Sequence, residues 1–236
     1  MILLLETATT VCSVALAHEG KIVCERNSDQ PNAHSSRLSV FVEELLRQAS
    51  LTPQQLQGVC VSSGPGSYTG LRIGVSSAKG FCYALQIPLF AVPTLQSMAA
   101  LYYLRHPDYR GLVCPMIDAR RMECYTACYQ APDLSVSPLP IEVKPVTADI
   151  IEPGIYDTLL DTHEVVFLGD GAAKTRPILG GHPHARYDDS FTIAAEGMAA
   201  IAQHLLTNGK NEDIAYFEPF YLKDFVAKKS VVRGLR

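Results

Sequence analysis

The chain reads Val61-Ser62-Ser63-Gly64-Pro65-Gly66-Ser67-Tyr68-Thr69-Gly70-Leu71-Arg72-Ile73-Gly74 between a short apolar strand and a helical pattern. Glycines at such a junction let another backbone approach closely, and a helix N-terminus offers unpaired N–H groups to an anion. The spacing is not that of a Walker loop, and three residues between Gly66 and Gly70 exclude Gly-x-Gly-x-x-Gly. Two interpretations stay open: a phosphate-binding turn, or tight packing of strand against helix.

The helix predicted after this loop favours the packing interpretation. Gly70, Gly74 and Ala78 recur every four residues, so they share one face and leave it smooth enough for a second helix to approach closely. That second helix belongs either to this chain or to another chain.

The first half of the chain has strong local signals on both sides of the loop. The clearest is an amphipathic helix before it, whose apolar residues are Leu38, Phe41, Val42, Leu45, Leu46 and Ala49. An antiparallel meander of three short strands precedes that helix. The predicted elements of this half are strands at residues 2–5, 12–17, 21–25, 59–61 and 89–92, and helices at residues 33–49, 71–85 and 95–104.

The second half repeats this order with weaker signals. A polar stretch at residues 105–111 is the best domain boundary, which predicts an amino-terminal lobe of residues 1–108 and a carboxyl-terminal lobe of residues 109–236. The order β-β-β-α-β-α in each half predicts an α/β protein with one helix-covered mixed sheet per lobe. The predicted elements here are strands at residues 112–117, 123–129, 141–143 and 165–168, and helices at residues 147–160, 174–179 and 193–206.

Composition limits the function classes. The chain has 236 residues, 47% of them hydrophobic, and a formal net charge of −4, which excludes a disordered chain and does not favour a direct grip on nucleic acid. Its seven cysteines are odd in number and lie mostly in apolar runs, as expected for a reducing cytoplasm. Cys124 and Cys128 lack the Cys-x-x-Cys spacing of a zinc site. No apolar stretch has the length of a membrane span, so we expect a soluble, cytoplasmic protein.

Several segments together resemble the TsaB (YeaZ) family. The resemblance is densest over the first 125 or so residues and rests on the stretch 61–74, Leu4-Leu5-Glu6-Thr7-Ala8-Thr9, Ala33-His34-Ser35-Ser36-Arg37-Leu38, Ile117-Asp118-Ala119-Arg120-Arg121-Met122-Glu123 and Glu218-Pro219-Phe220-Tyr221-Leu222-Lys223. It implies an actin-like, Hsp70-type ATPase fold of the ribonuclease H-like class, with two related lobes. It further implies a non-catalytic partner of the transferase TsaD, acting with the ATPase TsaE to make threonylcarbamoyladenosine in tRNA next to the anticodon.

Two other function classes remain as alternatives. A glycoprotease-like metallopeptidase needs two histidines four residues apart on the first helix, but Leu38 follows His34 at that spacing. A serine nucleophile at Ser67 lacks the Gly-x-Ser-x-Gly context. An actin-like small-molecule kinase needs glycine-rich phosphate loops in both lobes and a catalytic acid. Glu6 and Asp118 are acidic residues at strand ends, and we interpret them as hydrogen-bonding groups at the cleft rather than as an acid and base.

The resemblance also implies where the partner would bind. TsaB-like proteins use their first two helices to pair with TsaD or, without it, with a second copy, whereas the residue pattern alone also allows a helix buried within its own lobe. The expected interface residues are His34, Arg37, Leu38, Phe41 and Leu45 on the first helix, and Gly70, Arg72, Gly74, Val75, Ala78 and Cys82 at the second.

Nucleotide and tRNA contacts are the least defined by the sequence. We expect the chain alone to bind ATP weakly or not at all and to require no cofactor, with ATP or ADP possible at the interface with the partner. The basic tail carries Lys228, Lys229, Arg233 and Arg236, and it either contacts tRNA in the complex or is a solvated terminus. The candidate residues of degenerate nucleotide loops are Glu6, Thr7, Gly64, Gly66, Ser67, Asp118, Gly169, Asp170 and Gly171.

Overall fold

The structure is a computed structural model that describes residues 1–30 and 33–223. Its first lobe is a five-stranded sheet in the order β3-β2-β1-β4-β5. The meander strands are antiparallel, whereas β1, β4 and β5 are parallel to one another. The strands are β1 (Ile2–Glu6), β2 (Cys12–His18), β3 (Lys21–Ser28), β4 (Gly58–Ser62) and β5 (Leu89–Val92).

Helices cover both faces of this first sheet. Side chains of β1 alternate between the faces: Leu3 and Leu5 pack against α1 (Ala33–Gln48) and α2 (Tyr68–Leu85), whereas Ile2 and Leu4 pack against α6 (Ala199–Thr207) near the carboxyl end. Because both faces are covered, β1 and β4 are buried throughout, which explains their continuous apolar sequence.

The second lobe repeats the architecture of the first. Its sheet has the order β10-β9-β6-β7-β8, the same arrangement of meander and parallel strands. Helix α3 (Thr94–Arg105) packs on one face, and the short helices α4 (Asp157–Leu160) and α5 (Arg176–Leu179) contribute to the core on the other face. The strands are β6 (Leu112–Asp118), β7 (Glu123–Gln130), β8 (Ile141–Ile150), β9 (Val165–Leu168) and β10 (Ala185–Asp188). Two lobes with matching mixed sheets confirm the predicted actin-like α/β class.

Two local predictions for the second lobe were wrong. The segment 147–160 is not one helix: β8 continues to residue 150, and Thr147 pairs with Thr126 of β7. The half-exposed edge strand β10 was missed, since its sequence Ala-Arg-Tyr-Asp is mostly polar. The carboxyl-terminal part of the chain returns to the first lobe, where α6 packs on the first sheet. Within residues 1–30 and 33–223, no helix has the length and apolar character needed to cross a bilayer.

Candidate functional site

The end of β1 and the residue after it place two polar side chains, those of Glu6 and Thr7, in the interior of the first lobe. Glu6 is fully buried, and its Oε1 accepts hydrogen bonds from the Ala8 N–H at 2.7 Å and the Ser62 hydroxyl at 2.9 Å. Burial raises the pKa of Glu6 to about 7, although these hydrogen bonds oppose the rise. Glu6 Oε2 and Thr7 Oγ1 have no hydrogen-bond partner among the described residues. Both side chains are fully buried in the first lobe.

The glycine-rich stretch packs directly on this loop. A β-carbon at Gly66 would overlap the Ala8 carbonyl oxygen, and one at Gly70 would overlap the Thr7 carbonyl oxygen. The Ser67 N–H donates to the Ala8 carbonyl at 2.6 Å, while the Ser67 side chain caps α2 by accepting from the Gly70 N–H at 3.2 Å. The close approach that the glycine spacing predicted is thus made to the chain's own first loop.

The matching loops of the second lobe meet at one sheet edge. Asp118 ends β6, and Asp170 follows the parallel neighbour β9; Asp170 Oδ1 accepts the Asp118 N–H at 3.0 Å. Gly169 has a φ of 96°, a left-handed conformation that favours glycine, and the Gly171 N–H donates to the Met116 carbonyl at 3.0 Å.

Lys174 supplies a positive charge at this edge of the sheet. Its ammonium group pairs with Asp118 and donates to the Glu123 carbonyl at 2.7 Å. Burial acts to raise the pKa of Asp118, but the hydrogen bonds from Lys174 and the Arg120 N–H outweigh it and lower that pKa. Burial raises the pKa of Asp170. The pKa values of the two carboxyl groups are therefore shifted in opposite directions, down at Asp118 and up at Asp170.

The loops of both lobes line one interlobe cleft. A cavity of about 970 Å³ is bordered by Ala8, the segment 66–70, the segment 117–120, Asp170 and the segment 220–223. A second cavity of about 540 Å³ shares Thr9, Thr10 and Asp170 with it and also contacts Gly169 and Arg176. The structure therefore brings Gly66, Ser67, Asp118, Gly169 and Asp170 to the cleft, while Glu6, Thr7, Gly64 and Gly171 do not line it.

His34 lies at this cleft, and the position four residues later, where a second metal-binding histidine would stand, is Leu38. Its Nε2 is 3.1 Å from the Val11 carbonyl oxygen, and burial lowers its pKa. Leu38, four residues later, is in the hydrophobic core. In the part of the chain that the structure describes, no group of three or more His, Cys, Asp and Glu side chains could hold a metal ion.

The expected partner-binding side chains are mostly inside the first lobe, which corrects their placement on the surface. Among the expected interface residues, the core contains Leu38, Phe41, Leu45, Val75, Ala78 and Cys82. Gly70 and Gly74 are also buried, because both pack on Thr7. The apolar stripe of each helix meets the chain's own sheet, so only Arg37 and Arg72 project to solvent and His34 is half-buried.

The exposed positions beside these residues were missed. On α1, Val40 lies one turn beyond Arg37 and is 39% exposed; on α2, Tyr83 is 74% exposed. The periodic pattern could have identified them, since they lie on the side of each helix away from the apolar stripe. The basic-tail residues Lys228, Lys229, Arg233 and Arg236 lie outside the described residues.

Comparisons with known proteins find relatives in the biosynthesis of threonylcarbamoyladenosine in tRNA. A family model described as TsaD, tRNA N6-adenosine threonylcarbamoyltransferase, matches residues 21–230. The tRNA threonylcarbamoyladenosine biosynthesis protein TsaB of Escherichia coli K12 is 30% identical over 234 residues, which is 98% of this chain and 97% of that protein. The protein of the same name from Bacillus subtilis 168 is 40% identical over 129 residues, and that match spans 55% of each chain.

Solved structures give the same result for nearly the whole fold. A Pseudomonas aeruginosa crystal structure, described as an uncharacterized protein with similarity to peptidase YEAZ, superposes with a TM-score of 0.82 at 27% identity and covers 94% of this chain and 99% of that one. YeaZ from the same organism superposes with a TM-score of 0.78. The chain therefore belongs to the TsaB (YeaZ) family of tRNA threonylcarbamoyladenosine biosynthesis proteins.

Proposed function

We propose that this chain is a cytoplasmic, non-catalytic subunit that binds and activates a TsaD-like transferase, which adds the threonylcarbamoyl group to tRNA adenosine next to the anticodon. The observation that carries the proposal is the packing of Gly66 and Gly70 onto Ala8 and Thr7. In a two-lobed ATPase fold, the loop after the first strand would have to meet a phosphate group. Here the glycine-rich stretch packs on Thr7 and Ala8, and the Ala8 N–H donates to Glu6 Oε1 instead of facing a phosphate. This supports a chain that contributes a surface rather than a reacting group.

The family match supports a transferase as the partner. A model of the transferase family matches residues 21–230 of this chain, so the two proteins share a fold. A pair of them would use the same surface on each chain, as the two identical subunits of a two-fold symmetric dimer do. The surface available for pairing is the outer side of α1 and α2, with Arg37, Val40, Arg72 and Tyr83. Tyrosine and arginine are the residue types that most often dominate binding energy at protein interfaces. Without the transferase, the same surface would pair two copies of this chain.

Nucleotide and tRNA enter this proposal through the complex. The chain needs no cofactor of its own, and ATP or ADP would bind at the interface with the transferase, where a TsaE-like ATPase acts. The formal charge of −4 supports an indirect contact with tRNA, made through the transferase.

The two alternative functions each conflict with a specific contact. A metallopeptidase would need a second ligand four residues after His34, but Leu38 is packed in the core. A small-molecule kinase would need free N–H groups in the loop after β1 to bind a phosphate, but the Ala8 N–H already donates to Glu6 Oε1 and the Val11 N–H to Thr9 Oγ1.

Reconstitution tests the proposal. This chain, the TsaD-like and TsaE-like proteins of the same organism and unmodified tRNA would be combined with ATP and an activated threonylcarbamoyl donor, and threonylcarbamoyladenosine would be measured by mass spectrometry of the digested tRNA. We expect modification to depend on this chain and to fall when Arg72→Glu replaces the wild type, while Arg110→Glu, an exposed substitution just before the second sheet, acts as the control. Equal modification with this chain omitted would refute the proposal.

A further inference from the structure

The last described segment, residues 212–223, forms a strap across the first lobe. It begins at the open edge of β5, where the Glu212 N–H donates to the Leu89 carbonyl at 2.8 Å. Ile214 and Phe217 pack on the core formed by the first sheet with α1 and α2. At its other end, Lys223 pairs with Glu123 of the second lobe. The strap is therefore an ordered part of the fold that reaches both lobes.

The strap runs beside α2 in the opposite direction. Near its start, the Ala215 carbonyl accepts from the Lys79 ammonium at 3.5 Å. Near its end, the Tyr221 ring lies 4.9 Å from the Tyr68 ring in the first turn of α2, and the Phe220 N–H donates to the Ser63 carbonyl at 2.7 Å. These contacts make the outer sides of α2 and the strap one continuous surface.

That surface exposes large aromatic side chains from both elements. Tyr216 is 84% exposed and Phe220 is 48% exposed, although Phe217 between them faces the core. On α2, Tyr83 lies one turn beyond Lys79 on the same side of the helix. Arg72 donates to the Tyr68 hydroxyl at 3.1 Å and lies over the Tyr68 ring at 5.3 Å. Aromatic residues and arginine concentrated on one exposed face are typical of the centre of a protein interface.

We infer that the strap is the second half of the partner-binding surface, so that the TsaD-like protein contacts Tyr216 and Phe220 as well as the outer side of α2. The inference rests on the proposed function, because it extends the α2 surface assigned there. The occupant is a protein surface with apolar pockets for the strap rings and carboxylates opposite Arg72 and Lys79. RNA is disfavoured as the occupant because the exposed Glu218 and Asp213 lie on the same strap and would repel phosphate groups.

The strap accounts for a sequence segment that belongs to no helix or strand. The segment Glu218-Pro219-Phe220-Tyr221-Leu222-Lys223 has neither helical nor strand periodicity, and Phe220 and Tyr221 would ordinarily be buried in a core. In the structure the Phe220 backbone is held by Ser63, and the half-exposed Phe220 residue borders the interlobe cavity of about 970 Å³.

Titration calorimetry with the TsaD-like protein tests the inference. We expect Tyr216→Ala and Phe220→Ala each to weaken binding by about tenfold or more, as for interface anchors. The matched control is Leu134→Ala, which removes a 79% exposed apolar side chain from the second lobe and should leave binding unchanged. Circular dichroism of each variant would establish that the fold is retained.

The outcomes separate this inference from the proposed function. If Arg72→Glu weakens binding but the two strap variants bind like Leu134→Ala, the strap inference is wrong and the helix surface stands. If the wild-type chain itself shows no binding, the proposed function fails together with the strap inference. Saturable binding of single-stranded RNA to the chain alone, lost in Tyr216→Ala, would also overturn the assignment to a protein partner.

Discussion

Gly70 of α2 lies directly against Thr7, so closely that a β-carbon at residue 70 would overlap the Thr7 carbonyl oxygen. This contact brings the glycine-rich loop onto the end of β1, while Thr9 and Thr10 of the loop that follows line the interlobe cavities. Gly74, one turn later, makes a similar approach to the Thr7 side chain. A bulky substitution at Gly74 should therefore disturb the first lobe itself, rather than separate two intact proteins.

The first prediction compares two glycines of the same helix. Gly70→Ala should lower the free energy of unfolding by about 1–3 kcal/mol, because the added methyl group must displace backbone at Thr7. Gly80→Ala should raise it by about 0.5–1 kcal/mol, since a β-carbon there meets no described atom within 4 Å and alanine favours the helix. Urea denaturation of both variants measures the difference. Equal effects of the two substitutions would disprove the proposed packing.

The second prediction concerns the pH dependence of stability through Glu6. Its folded pKa of about 7 lies above the ordinary 4.5, so the folded carboxyl holds its proton more tightly than the unfolded one. Stability from this group is complete below about pH 4.5 and is lost as the pH rises through 7. Over that range the free energy of unfolding should fall by about 3 kcal/mol. The substitution Glu6→Gln should abolish this pH dependence.

Denaturation at pH 5 and pH 8 measures this effect as a difference between wild type and variant, so that other titrating groups cancel. Relative to the wild type, Glu6→Gln should be more stable at pH 8 than at pH 5, because glutamine buries no charge in place of the ionised Glu6. Two proteins with parallel pH profiles would show that Glu6 titrates normally.

The third prediction concerns the start of α2. Ser67→Ala should cost about 1 kcal/mol of stability, since the side chain that accepts the Gly70 N–H is lost. Ser76→Ala, an exposed serine inside the same helix, should be neutral or slightly stabilising because alanine is the better helix former. Thermal unfolding of both variants checks this order, and a larger loss for Ser76→Ala would contradict the cap.

The fourth prediction concerns nucleotide. The chain alone should give no saturable heat with Mg·ATP or ADP in calorimetry, because the Ala8 N–H of the first loop already donates to Glu6 Oε1. A dissociation constant in the micromolar range for the isolated chain would mean that the cleft of about 970 Å³ accepts nucleotide beside this contact, and the kinase alternative would regain support.

The elements predicted correctly are those with a strong local pattern. Buried strands such as β4 and β9 are continuous apolar runs, and α1 has a full amphipathic stripe. Residues 147–150 extend β8 because β7 supplies hydrogen-bond partners from far along the chain, and such nonlocal pairing overrides local preference.

The loops that form the candidate site could be predicted from the sequence, but the packing of the helices beside it could not. Asp118 and Asp170 meet because Asp118 ends β6 and Asp170 follows its parallel neighbour β9, and the carboxyl ends of parallel strands lie at one edge of a sheet. An amphipathic stripe shows which side chains are apolar but not what covers them, so Leu38 and Phe41 could equally have met a partner. The strap has no periodicity, and contacts with Leu89 and Ser63 fix its position.

The most direct test of the account is size-exclusion chromatography with light scattering of this chain mixed with the TsaD-like protein of the same organism. We predict that the wild-type chains elute together, that Arg37→Glu combined with Arg72→Glu separates them, and that Arg110→Glu does not. Wild-type proteins that elute apart, with this chain folded and monomeric, would contradict the account.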